Sequence, residues 1–260
     1  MTFLPLIENE KGLSAYLNAF DEFIEGEDWW FAKTGDLAAA RKLVYNVWDD
    51  SKTQELAQQL HCKKQVIFIA VPSSSGLNKI PNVLAAKLAS ELDGIALDGS
   101  KYFSLQADQQ MKSVSKNERT FLERNYIPKY DQEYVKFLQF CEIVVVDDAI
   151  LSGSTIYAFI RSLQKENITV ENVVCLFGDP RLTPAREDIE TLANILSDNH
   201  ISVEHDILSH IVVRGEILNI VEQYQLASSL EMKYEIARKI QRLLNYRIAR
   251  LMGQSDSPNN

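Results

Sequence analysis

The sequence predicts an open, parallel α/β sheet of about five strands flanked by helices, with helical appendages at the N- and C-terminal ends. Three observations lead there. From about residue 63 to 205, short apolar runs alternate with stretches of helical periodicity, the signature of βαβ units. The clearest runs, Val66 to Val71 and Ile143 to Val146, are apolar at every position, as in strands buried on both faces. Both run into polar loops that contain Ser and Gly and precede a helix.

The composition agrees with a packed domain. The chain has 260 residues, 46% hydrophobic and 24% charged, which excludes a disordered or collagenous chain. No run approaches the ~20 apolar residues of a membrane span. Met1 to Gly12 lacks a basic segment and carries Glu8 and Glu10, so no signal peptide is expected there. Cys62, Cys141 and Cys175 lie far apart and read as reduced thiols of a cytoplasmic protein. The net charge of −9 makes the chain a poor general binder of nucleic acid or anionic membrane.

The elements follow in order. Residues 1–62 read as a helical appendage. Leu13, Tyr16, Leu17 and Phe20 recur at helical spacing, and Asp36 is placed to cap a helix with the stripe Leu37, Ala40, Leu43, Val44 and Val47. Trp29, Trp30 and Phe31 lie between the two helices and read as packing anchors, or as a base-stacking wall. Residues 63–205 form the α/β core. Val66 to Val71 is its first strand, with a crossover helix over Asn82 to Leu92. Gly94 to Leu97 is a weaker second strand. Ile143 to Val146 is the third, with a helix from Ser154 to Lys165. Val173 to Phe177 is the fourth, Arg186 to Ser197 is helical, and Ile201 to Val203 is the candidate fifth strand. Between the second and third strands no long periodic element is visible, as expected of a lid. Residues 206–260 form a C-terminal helical region with a polar tail from Gln254. Its helix has Ile236, Ile240, Leu243, Leu244 and Leu251 as an approximate stripe. Two acids against six bases over residues 231–252 make it the place where a nucleic-acid contact would form. The amphipathic stripe favours packing on the domain or on a second copy of the chain, a homo-oligomer.

The chemistry concentrates in Glu142 to Thr155, where a buried strand runs into two adjacent carboxylates, then a tight loop of small and hydroxyl residues, then a helix. Ligands of parallel sheets bind at the C-terminal ends of strands. The loop Ala149, Ile150, Leu151, Ser152, Gly153, Ser154 and Thr155 gathers backbone N–H groups and a helix N-terminus around one point, which suits a monophosphate dianion. Asp147 and Asp148 stand one step behind, placed to accept hydrogen bonds from vicinal hydroxyls. A second loop, Val71 to Pro81, offers Ser73, Ser74, Ser75 and Gly76, with Lys79 beside them. His200, His205 and His210, spaced by five, share no helical face, and no side-chain metal site is expected.

An apolar strand, two acids, small residues and then Ser152-Gly153-Ser154-Thr155 resembles the phosphoribosyl pyrophosphate (PRPP) signature of the type I phosphoribosyltransferases, with Ser152 where that family has Thr. The order Gly76-Leu77-Asn78, Gln110, Arg119 and Asn125 resembles the competence protein ComF branch. The resemblance covers Val66 to Gly178. It implies that Asp147 and Asp148 hold the ribose hydroxyls as catalytic residues, that Ala149 to Thr155 hold the 5′-phosphate, and that Ser73 to Gly76 hold the pyrophosphate. It implies a mobile lid over Lys101 to Lys129, in which Lys112, Arg119 and Arg124, with Gln109, Gln110 and Lys116, neutralise pyrophosphate. It further implies an enzyme of nucleotide metabolism. Such an enzyme transfers phosphoribose from PRPP to a nitrogen acceptor and uses Mg²⁺ bound with PRPP. A non-catalytic PRPP- or nucleotide-sensing module, or an accessory protein of a DNA-uptake or defence system, would keep the same residues.

Overall fold

The computed structural model describes residues 12–16, 26–61, 64–73, 75–106, 121 and 124–251. The first described element is a strand, β1 (Gly12–Tyr16); the helices α1 (Glu27–Lys33), α2 (Leu37–Val47) and α3 (Asp50–Gln59) are the next ones described. Then come β2 (Val66–Ala70), α4 (Ile80–Glu91), β3 (Ile95–Asp98) and the single turn α5 (Gly99–Tyr102). The middle holds β4 (Phe103–Gln106), β5 (Asn125–Pro128), α6 (Gln132–Gln139), β6 (Glu142–Ile150), α7 (Ser154–Lys165) and β7 (Val170–Gly178). Four helices close the described chain: α8 (Arg186–Asp198), α9 (His205–Ile211), α10 (Arg214–Leu226) and α11 (Leu230–Leu251).

β1, β7, β6, β2 and β3 form one parallel sheet in that spatial order. The fold is therefore the predicted open parallel α/β sheet flanked by helices. Each face has its own core. Ile67, Ile69, Ile143, Val145, Val173 and Cys175 pack under α6 and α7. The alternate residues Phe68, Ala70, Val144, Val146, Val174 and Leu176 pack under α1, α2, α3 and α4. This is the period-two alternation of strand side chains. A third cluster joins α8, α9, α10 and α11 through Leu192, Leu208, Ile217, Ile240 and Leu244. Local chemistry sets the helix starts. The Asp36 carboxylate accepts from the Ala38 and Ala39 N–H groups at 2.8 and 3.0 Å, capping α2 as its position predicts. Pro81 occupies the first turn of α4.

Three expectations are corrected. Leu13 to Tyr16 is not helical: it is the edge strand β1, paired from Gly12↔Val173 to Tyr16↔Phe177. Its partner lies some 160 positions along the chain, beyond any local periodicity, and β1 takes the sheet edge beside β7. Ile201 to Val203 consequently forms no strand; Ile201 and Val203 pack instead against the helical cluster of α8 to α11. Trp29, Trp30 and Phe31 do not lie between helices but within α1, with Trp29 buried and the other two exposed. The segment between the second and third core strands also holds more structure than its weak periodicity shows. β4 and β5 form an antiparallel ribbon, from Phe103↔Pro128 to Gln106↔Asn125, and α6 follows. Phe103 and Tyr126 seat the ribbon on Phe159 of α7 with edge-on rings 4.9 and 5.1 Å away.

The topology places the site. The chain leaves β2 for β3 on one side and returns to β6 on the other. α4 and α7, which follow β2 and β6, cover opposite faces of the sheet. The crevice between the C-terminal ends of β2 and β6 is thus the topological switch point, the place where open parallel sheets bind ligands.

Candidate functional site

The turn from β6 into α7 is the best-built part of that crevice. β6 is longer than its apolar run suggests: pairing with β7 continues through Asp147↔Cys175 and Ala149↔Phe177 to Ile150↔Gly178. Asp147, Asp148, Ala149 and Ile150 are therefore strand residues, and the turn proper is Leu151 to Gly153. Gly153 caps α7 with φ +77°, the left-handed region that a β-branched side chain resists. A Cβ there would also meet Leu182 at 3.1 Å and Val213 at 3.2 Å. Ser152 and Ser154 share a hydroxyl hydrogen bond of 2.9 Å across the turn. The first-turn amides of α7 have no intrahelical acceptors, as at any helix N-terminus.

A cleft of about 320 Å³ opens over this turn, lined by Ala149 to Ile156, Asp147, Arg124, and Asn219, Glu222 and Gln223 of α10. α10 is held hard against the turn. A Cβ at Gly215 would stand 2.9 Å from both the Leu151 and the Ser152 carbonyl oxygens, so only glycine permits the approach. The start of α10 is fixed in turn by buried charge. Arg247 of α11 forms a two-pronged pair with Glu216, both bonds 2.8 Å, and donates to the Ile211 carbonyl at 2.6 Å. Its guanidinium lies 4.2 Å from the Tyr157 ring centroid of α7. The same Glu216 carboxylate accepts from the Val213 N–H at 3.1 Å. A buried pair with every prong occupied fixes geometry; removing one partner strands a charge. Arg214 adds a 2.5 Å bond to Asp179, just past β7.

The two carboxylates are buried and face different neighbours. Asp147 lines the cleft. Burial, and then the adjacent Asp148 charge, hold its carboxyl well above the usual carboxylate range, although Lys33 and the Asp148 N–H at 2.9 Å act the other way. Asp148 lies under the N-terminal helices, where the Lys33 ammonium pairs with its Oδ2. Lys33 also sits over the Trp29 ring, 4.7 Å from its centroid.

The loop after β2 approaches from the other side. The Lys79 N–H donates to the Ala32 carbonyl of α1 at 3.1 Å, and the Tyr126 hydroxyl of β5 donates to the Pro72 carbonyl at 3.3 Å. Burial, with Asp147 nearby, pushes the Tyr126 hydroxyl up to about 12. Ser73 and Ser75 face each other at 3.4 Å, and Gly76 has φ +68°.

Of the expected site residues, Asp147, Ala149 to Thr155 and Arg124 meet in one cleft, and Asp148 lies on the neighbouring face. Ser73, Ser75 and Gly76 lie on the adjoining loop. Ser74, Lys112 and Arg119, with Gln109, Gln110 and Lys116, fall outside the described residues. Lys33, Gly215 and the Asn219–Gln223 face of α10 were not legible in the sequence. They lie far along the chain from the strand-end motif, and no spacing ties them to it.

No family model matches the sequence, and no curated protein matches it. Among solved structures, a purine phosphoribosyltransferase from Pyrococcus horikoshii Ot3 is similar over 66% of this chain and 88% of that one. The identity is 13% and the TM-score 0.29. So slight a likeness adds no weight, and the site stands on its own geometry.

Proposed function

We propose that the chain binds PRPP and transfers its phosphoribosyl group to a nitrogen acceptor. The observation that carries this reading is the glycine-capped turn Leu151–Thr155, with the first turn of α7 and Asp147 in one cleft at the sheet's switch point. A 5′-phosphate dianion suits the amides, and vicinal ribose hydroxyls suit the carboxyl pair. In the reaction the C1–O bond breaks, with its electron pair leaving on pyrophosphate. The acceptor nitrogen bonds to C1, and the acceptor proton passes to solvent. Asp147 and Asp148 hold the sugar and face the cationic carbon; Arg124 and the Ser73–Gly76 loop meet the departing phosphates.

Among the described residues no three His, Cys, Asp or Glu side chains gather as a cation cage. A Mg²⁺ carried in by PRPP would be held chiefly by substrate oxygens, near Asp147 and Asp148, and would neutralise charge on the leaving group. The test is pyrophosphate release from PRPP and Mg²⁺ across a nucleobase panel. Release with at least one base, absent in Gly153→Val, supports transfer. PRPP binding without release supports the sensing reading. No PRPP binding overturns both.

A further inference from the structure

The site contains a cation that the reading above leaves without a task. Lys33 is the last residue of α1, and its ammonium pairs with Asp148, whose side chain is only 6% exposed. The backbone that carries it is anchored. Ala32 is fully buried and its carbonyl takes the Lys79 N–H of the loop after β2, while Trp29 packs edge-on against Phe177 at 5.4 Å. The side chain is not anchored in the same way. It is 32% exposed, and its ammonium also lies over the face of Trp29. A lysine ammonium is a point charge on a flexible four-carbon stem, able to exchange partners without moving its backbone. Ala32, the residue before Lys33, takes the N–H of Lys79 at the end of the loop after β2, which sets the Lys33 backbone beside that loop.

We propose that Lys33 is a partner-exchanging residue of this site. It pairs with the Asp148 carboxylate while the sugar position is empty, then shifts to the phosphate anhydride of PRPP when ribose hydroxyls take that carboxylate. The proposal rests on the PRPP reading. The ligand class it adds is specific: Lys33 distinguishes a sugar phosphate bearing an anhydride at C1 from one that bears a hydroxyl there. For ribose 5-phosphate the ammonium is a competitor at Asp148 with nothing gained elsewhere. For PRPP the same displacement is offset by a new contact to charged oxygen, the stronger kind of hydrogen bond.

The test uses calorimetric titration of the full chain with ribose 5-phosphate and with PRPP plus Mg²⁺. Wild type, Lys33→Met and Lys33→Arg are compared. Lys33→Met is expected to bind ribose 5-phosphate no less tightly than wild type and PRPP at least about tenfold more weakly. Lys33→Arg, which keeps the charge, is expected to recover most of the PRPP affinity. A merely structural Lys33 would lower both affinities together. Any result in which Lys33→Met loses no more for PRPP than for ribose 5-phosphate overturns the proposal alone. Failure of wild type to bind either ligand removes the PRPP reading and this proposal with it.

Discussion

Two turns leave the C-terminal edge of the sheet at its switch point, and they are built differently. Gly153 and Gly76 both adopt left-handed φ, +77° and +68°. On the side where a Gly153 side chain would project, Leu182 and Val213 leave no room, and Gly215 presses on the carbonyls of the preceding residues. Around Gly76 nothing among the described residues lies within 4 Å of a Cβ. One turn is locked by packing at its centre; the other is tied at its ends, through Pro72 to Tyr126 and through Lys79 to Ala32. A rigid turn presents amides in a fixed array and suits a constant group such as a 5′-phosphate. An open turn of exposed residues suits a group that must depart, as pyrophosphate does.

That contrast can be broken by substitution, and the largest effect is expected at Gly153. Valine there meets backbone strain of about 1–2 kcal/mol and crowding of about 1–3 kcal/mol. Gly153→Val should remain folded with a lower melting temperature and lose ribose 5-phosphate binding beyond ~100-fold by calorimetry. Unchanged affinity in a folded variant would remove the phosphate from this turn. Gly215→Ala comes next. Its Cβ faces only backbone atoms, at 2.9 to 3.0 Å, so the turn must shift. An affinity loss of about tenfold is expected, from a residue that lines no part of the cleft. Gly76→Ala should cost about 1–2 kcal/mol in denaturant melts, from strain alone, and should lower PRPP affinity less than about fivefold. If Gly76→Ala hurt binding more than Gly215→Ala, the assignment of rigid and open turns would be reversed.

The sequence made the locked turn legible and left its supports hidden. Val-Val-Val-Asp-Asp before Ser-Gly-Ser-Thr is a continuous motif, and every part of it falls where strand and helix chemistry would put it, with α7 spanning Ser154–Lys165 as expected. Only the strand end moved, from Val146 to Ile150, because β7 supplies partners that far. The supports are long-range. β1 pairs with a strand some 160 residues away, and Gly215 and the Glu216–Arg247 pair act through helices that carry no motif of their own. Lys33 is an ordinary basic residue at the end of an amphipathic helix until the fold sets that helix over Asp148.

The smallest expected effect separates the two acids. Because burial and Asp148 raise the Asp147 carboxyl above its unfolded value, its contribution to stability is full below the ordinary carboxylate range. That contribution is lost as pH rises through the raised value. Asp147→Asn should therefore melt a few degrees higher than wild type at neutral pH, with the gap closing as pH falls towards the ordinary carboxylate range. A gap that is constant with pH would mean that burial and Asp148 do not raise the Asp147 carboxyl.

The central claim is that the turn Leu151–Thr155 is the phosphate site. Amide chemical-shift mapping with ribose 5-phosphate reads it residue by residue. At saturation the largest changes should fall on Ser152, Gly153, Ser154 and Thr155, with smaller ones at Ser75 and Gly76, and PRPP with Mg²⁺ should extend them into the second loop. A saturable map centred elsewhere, with the amides of Ser152 to Thr155 unmoved, would contradict the account.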